Sequence, residues 1–95
     1  FNPGSCYVQS LPEAMSWAAL RYGLSAAECL VGATQNAACS LRRGETHGTL
    51  EVGKQADLVL TDLPRLEHLT YELGRSPVRL VIKRGAVVYE RGGKL

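Results

Sequence analysis

The hydrophobic period of this chain changes once, from three- and four-residue spacing before Gly44 to two-residue spacing beyond it. Few small folds accommodate such a change. Leu11, Ala14, Met15, Ala18 and Tyr22 lie on one helical face. Ser10-Leu-Pro-Glu13 before them fits a capping box with proline in the first turn, and Gly23 closes the helix. Ser25-Ala-Ala-Glu28 repeats the start signal, with Ala26, Leu30 and Ala33 on one face. Thr34-Gln-Asn-Ala-Ala then reads as a break and restart, with Thr34 capping a further short helix through Leu41.

Past Gly44, Thr49 to Lys54 reads as an extended stretch containing a turn, and Ala56 to Asp62 as a strand. A short helix is expected near Glu67 to Leu73. Val78, Leu80 and Ile82 alternate with Arg79, Val81 and Lys83, the pattern of a strand. Arg84-Gly85 is a tight-turn dipeptide leading into Ala86 to Glu90, which completes a hairpin. A hairpin and one further strand are marginal alone and leave edges open. The alanine-rich helices likewise suit packing against something large. Both halves read as the ends of larger layers, and a chain of 95 residues that opens on Phe1 reads as a piece of a longer protein.

Composition removes several function classes. Eleven basic residues face nine acidic ones, and no basic run exceeds Arg42-Arg43, so a nucleic-acid interface is not expected. No apolar stretch approaches the roughly 20 residues a membrane span needs. Cys6, Cys29 and Cys39 form no C-x-x-C pair, which argues against a zinc knuckle or disulfide framework and favours a reducing, cytoplasmic setting. Cys29 and Cys39 are expected to pack as small apolar residues.

Four segments carry a resemblance. His47-Gly-Thr-Leu-Glu-Val-Gly-Lys-Gln-Ala-Asp-Leu-Val59 resembles the stretch with which amidohydrolase-superfamily enzymes re-enter their small β-sandwich after the barrel. Ser25 to Leu41, with Ala33-Thr34 and Asn36-Ala-Ala, is similar to the last barrel helix and its extension. Phe1-Asn-Pro-Gly-Ser5 resembles the loop after barrel strand eight in the imidazolonepropionase family. Glu67-His-Leu-Thr-Tyr-Glu-Leu-Gly74 and Val81-Ile-Lys-Arg-Gly85 resemble that family's C-terminal segment, with Thr70 where proline is usual.

The resemblance implies an α/β chain: the C-terminal end of a (β/α)8 TIM barrel over residues 1–43, then strands of the composite β-sandwich over residues 44–95. It implies a parent hydrolase that opens 4-imidazolone-5-propanoate to N-formimidoyl-L-glutamate in histidine degradation. Its metal, zinc or iron, would be held by residues outside this chain; by register, the strand-eight Asp would stand just before Phe1. Neither His47 nor His68 matches a family ligand, so this piece alone is expected to bind no metal and to be inactive. Its catalytic residues are none, and its substrate-binding residues by position are Asn2, Gly4 and Ser5. An amide, a backbone N–H and a hydroxyl can together hold a carboxylate or ring heteroatoms. The parent would act on a small molecule, without nucleic acid or membrane, and as a homodimer.

Other polar residues have simpler readings. The resemblance gives Asp57 a structural role, bonding to a neighbouring turn. Glu13 and Glu28 serve helix N-termini, Ser5 and Ser10 have no nearby His–Asp pair, and Gly92-Gly93 lacks the strand–helix context of a phosphate loop. Two other functions fit the same residues: a different cyclic amidohydrolase, and a non-catalytic interaction module with exposed helices and strand edges.

Overall fold

A computed structural model describes residues 4–92. In chain order it contains α1 (Leu11–Tyr22), α2 (Ala26–Val31), a π-turn (Gly32–Asn36), α3 (Ala37–Ser40), β1 (Leu58–Thr61), α4 (His68–Tyr71), β2 (Val78–Lys83) and β3 (Ala86–Glu90). The chain divides into two compact units, drawn from Phe1–Ala33 with Leu63–Ser76 and from Thr34–Asp62 with Pro77–Leu95.

The first unit is helical, and its boundaries follow local chemistry. Ser10 is extended and its hydroxyl accepts from the Glu13 N–H, which satisfies one of the free donors at the start of α1. Gly23 takes φ 70° and returns its N–H to Ala19 O, ending the helix. At α2 the box is reciprocal: Ser25 Oγ accepts from Glu28 N at 3.1 Å, and Glu28 Oε1 accepts from Ser25 N at 2.8 Å. Met15, Cys29 and Leu69 from α1, α2 and α4 form the core, with Ala18, Ala19, Ala33 and Leu63 against it. Cys29 is 5% exposed and directs its thiol to Met15 O at 3.5 Å, the small-apolar use expected of it. Ser16 is buried on α1, its hydroxyl donating to Pro12 O one turn back. Larger side chains of these helices, including Trp17, Leu20, Tyr22 and Val31, stay exposed.

Between α2 and α3 the chain does not break. Gly32 keeps right-handed helical angles, and the backbone passes through a π-turn that holds Thr34 in its interior. The N-cap position of α3 falls to Asn36 and not Thr34, and α3 is shorter than expected. A π-turn inserts one residue without releasing the helical ladder, so the polar run Thr34-Gln-Asn need not end the helix. Cys39, expected to pack, is exposed on α3.

The second unit is a three-stranded antiparallel sheet, β1-β2-β3, with the 34–57 segment. Val59 pairs with Val81, and Val81 with Tyr89. The register shifts at Leu60/Thr61 and at Val81/Ile82. Arg84 (φ 51°) and Gly85 (φ 80°) are both left-handed, as the two central residues of a type I′ hairpin turn must be. β2 and β3 have the expected bounds, β1 is shorter than the expected Ala56 to Asp62, and Val59, Leu60, Val88 and Tyr89 remain about half exposed. Alternation set their side chains on faces that no other layer in the unit covers.

Before β1, the loop from Gly44 to Asp57 is tied by one side chain. Lys54 Nζ donates to Gly44 O at 2.8 Å and Thr49 Oγ1 at 2.6 Å, and pairs with Glu51 at 3.2 Å. The Glu51 carboxyl is held below its usual range by its hydrogen bonds from Thr49 and Lys54 and by the Lys54 charge. Gly48 takes φ 102°, and a Cβ there would lie 2.9 Å from Ala38 Cβ and 3.2 Å from Thr34 O. Only glycine fits this approach of the loop to the π-turn and α3.

Candidate functional site

Gly4 and Ser5 share one exposed turn at the start of the described chain; Asn2 lies outside the described residues. The turn leads through Cys6 into an extended run that ends at Ser10, the N-cap of α1. The cap sets where this loop joins the helix, because Ser10 must be extended for its hydroxyl to reach Glu13. With that hydroxyl accepting the Glu13 N–H, Ser10 already serves the helix. Beside the loop runs an open, mostly apolar groove of about 800 Å³, with Cys6, Val8, Ala14, Trp17 and Arg21 among its walls. Gly4, Ser5 and Cys6 are all exposed residues.

Asp57 is the most connected carboxylate of the sheet unit. Its Oδ1 accepts from the Arg84 N–H at 2.9 Å, and its Oδ2 from Gln55 Nε2 at 2.8 Å and Lys83 Nζ at 3.4 Å. His47 Nε2 stands 3.8 Å from the same oxygen, while its Nδ1 meets Thr46 Oγ1 at 2.6 Å. The Arg84 N–H foremost, then Gln55 and Lys83, hold the Asp57 carboxyl down at about 2, against a smaller desolvation effect. A carboxylate this well supplied with donors is a poor proton acceptor at neutral pH, and its bond to the β2–β3 turn is the structural role expected of it.

Among the described residues, no group of three or more His, Cys, Asp or Glu is arranged to hold a metal ion. His47 and His68 belong to different units, and His68 Nδ1 is buried without a hydrogen-bond partner. These residues do not fit a catalytic metal centre. No helix of the described residues is long and apolar enough to cross a membrane.

The model of the amidohydrolase family matches residues 2–88, nearly the whole chain. The chain belongs to the amidohydrolase family. Amidohydrolases are generally metal-dependent hydrolases, and the relatives of this chain include imidazolonepropionases. It is 47% identical over 92 residues to a probable imidazolonepropionase of Danio rerio, covering 95% of this chain and 21% of the relative. It is 44% identical to the imidazolonepropionase of Geobacillus sp. over 96% of this chain and 22% of that protein. A probable imidazolonepropionase of Bos taurus is 42% identical over 96% of the chain and 22% of its own length. This amidohydrolase chain therefore spans about a fifth of the length of the curated relatives it matches.

Proposed function

We propose that this chain is the C-terminal part of an imidazolonepropionase, a cytoplasmic and homodimeric hydrolase that opens 4-imidazolone-5-propanoate to N-formimidoyl-L-glutamate in L-histidine degradation. The supporting observation is the alignment of almost the whole chain, at 38–47% identity, with relatives of that name. In this reading residues 1–43 end a (β/α)8 barrel and residues 44–95 complete strands of a β-sandwich. The parent's zinc or iron is held by side chains outside this chain.

The part left to these residues is binding. Hydrolysis adds one water across the ring's amide C–N bond, and the ring must be held still while it does so. The Asn2 carboxamide can donate to and accept from ring heteroatoms. The Gly4 N–H and Ser5 hydroxyl can donate to a carboxylate or carbonyl oxygen. The turn that joins Gly4 and Ser5, ending five positions before the Ser10 cap of α1, keeps these donors on one short segment.

Steady-state kinetics of Asn2→Ala and Ser5→Ala in the full-length parent protein test the reading. Each change removes about one hydrogen bond to substrate, so kcat/KM on 4-imidazolone-5-propanoate is expected to fall roughly 10- to 100-fold. Unchanged kinetics in both variants would remove the loop from the substrate site. Ring opening of hydantoins in preference to imidazolone propanoate would point to a different cyclic amidohydrolase.

A further inference from the structure

The sheet unit carries a second concave site, away from Gly4 and Ser5 in sequence and lined by basic side chains. It is a surface pocket of about 410 Å³, walled by Arg43, His47, Lys83 and Arg84, with Gln55 beside them and Ala38 and Leu41 supplying apolar surface. That volume falls within the roughly 300–1,000 Å³ common for small-molecule sites.

Three local features bring the basic residues together. Arg43 O accepts the N–H groups of both Thr46 and His47, curling the loop so that Arg43 and His47 border the same hollow. The type I′ turn puts Lys83 and Arg84 at the tip of the hairpin. Asp57 ties that tip down through the Arg84 N–H, and Gly85 N donates to Ala56 O at 2.9 Å. These contacts engage Gln55 and Lys83 but not the two guanidiniums. Asp57 pairs with Lys83, but among the described residues no hydrogen bond or ion pair engages the guanidinium of Arg43 or of Arg84.

We infer that this pocket binds a phosphate dianion, free or as the terminal group of a small phosphorylated metabolite. With Asp57 offsetting Lys83, the two arginines leave a local charge of two positive units, which a dianion neutralises. The surplus donors come from the two guanidiniums, with the Lys83 ammonium and the Gln55 amide each already giving one bond to Asp57. A carboxylate has two oxygens to receive them, whereas a phosphate has three or four, and guanidinium forks match its geometry. Ala38 and Leu41 give an organic body a surface to rest on.

Calorimetric titration of the full chain tests this at pH 8 and constant ionic strength, with inorganic phosphate in one arm and glycerol 3-phosphate in the other. Saturable binding is expected in at least one arm. Binding of phosphate alone would identify the free anion, and tighter binding of glycerol 3-phosphate a phosphorylated metabolite. Replacing Arg43→Ala together with Arg84→Gly should weaken binding at least about tenfold, the loss of one or two charge-assisted hydrogen bonds. Glycine at position 84 keeps the left-handed turn without strain. Arg43→Lys with Arg84→Lys should retain part of the affinity, and Arg65→Ala, outside the pocket, all of it. The proposal is overturned if neither anion binds saturably, or if the Arg43→Ala, Arg84→Gly protein binds as the unaltered chain does.

Discussion

Asp57 and Arg84 stand 27 residues apart in sequence, yet the Arg84 backbone N–H donates to Asp57 Oδ1 at 2.9 Å. The contact joins the residue just before β1 to the turn between β2 and β3. It also accounts for much of the carboxyl's shift from 3.8 to about 2.

That shift sets a pH dependence for the sheet unit. A carboxyl whose folded value is depressed stabilises the fold fully above its unfolded value and loses that contribution as pH falls through its folded value. Asp57 should therefore contribute constant stability above about pH 5 and lose it between 3.8 and about 2. Amide exchange of Arg84 and Gly85 followed from pH 6 to pH 2 checks this. Protection, taken against the intrinsic rate at each pH, should fall across the lower window in the unaltered chain, and Asp57→Asn should remove the step.

Gly48→Ala should be among the more damaging single-methyl additions. It combines φ 102° with a Cβ placed 2.9 Å from Ala38 Cβ and 3.1 Å from Gln35 Cα. A strained position costs on the order of 1–3 kcal/mol, and the overlap adds to it. Gly53→Ala has a similar φ of 94° with nothing within 4 Å, so it should pay the strain alone. Urea midpoints of the two variants in the full chain should fall in that order. A smaller loss for Gly48→Ala would show that the loop does not press against α3.

Ser25→Ala removes one half of the reciprocal cap of α2 and should cost about 1 kcal/mol, within a range of roughly 0.5–2. Glu28→Ala removes the other half, and the double variant should lose less than the sum of the two, because each bond supports the other. Chemical denaturation of the three variants measures the coupling. Strict additivity would mean that the two bonds act independently.

What could be read in the sequence was mostly local. The Ser10 and Ser25 caps, the Gly23 stop and the Arg84-Gly85 turn each depend on residues within four positions and appear, although the box expected at Ser10 forms only its Ser10 half. The π-turn did not show itself, because Thr34-Gln-Asn has a polar run's usual signature of a break. The loop at Gly48, fourteen residues on from Thr34, comes close to that turn, a contact no local pattern announces. The substrate role proposed for Asn2 to Ser5 rests on the motif, and the structure adds that Gly4 and Ser5 share a turn. The basic pocket was not legible. Arg43 looked like half of a short basic pair and Arg84 like a turn residue, and only the fold brings the two to one hollow.

The most direct measurement is hydrolysis of 4-imidazolone-5-propanoate by the purified full-length parent protein, followed by loss of its ultraviolet absorbance, with a hydantoin in parallel. Ring opening of the imidazolone at a turnover of at least about one per second, with the hydantoin at least 100-fold slower, is the result expected of an imidazolonepropionase. Removing the metal with a chelator should abolish turnover, and zinc or iron should restore it. A full-length parent that opens the hydantoin faster, or that carries its metal and opens neither ring, would contradict the assignment.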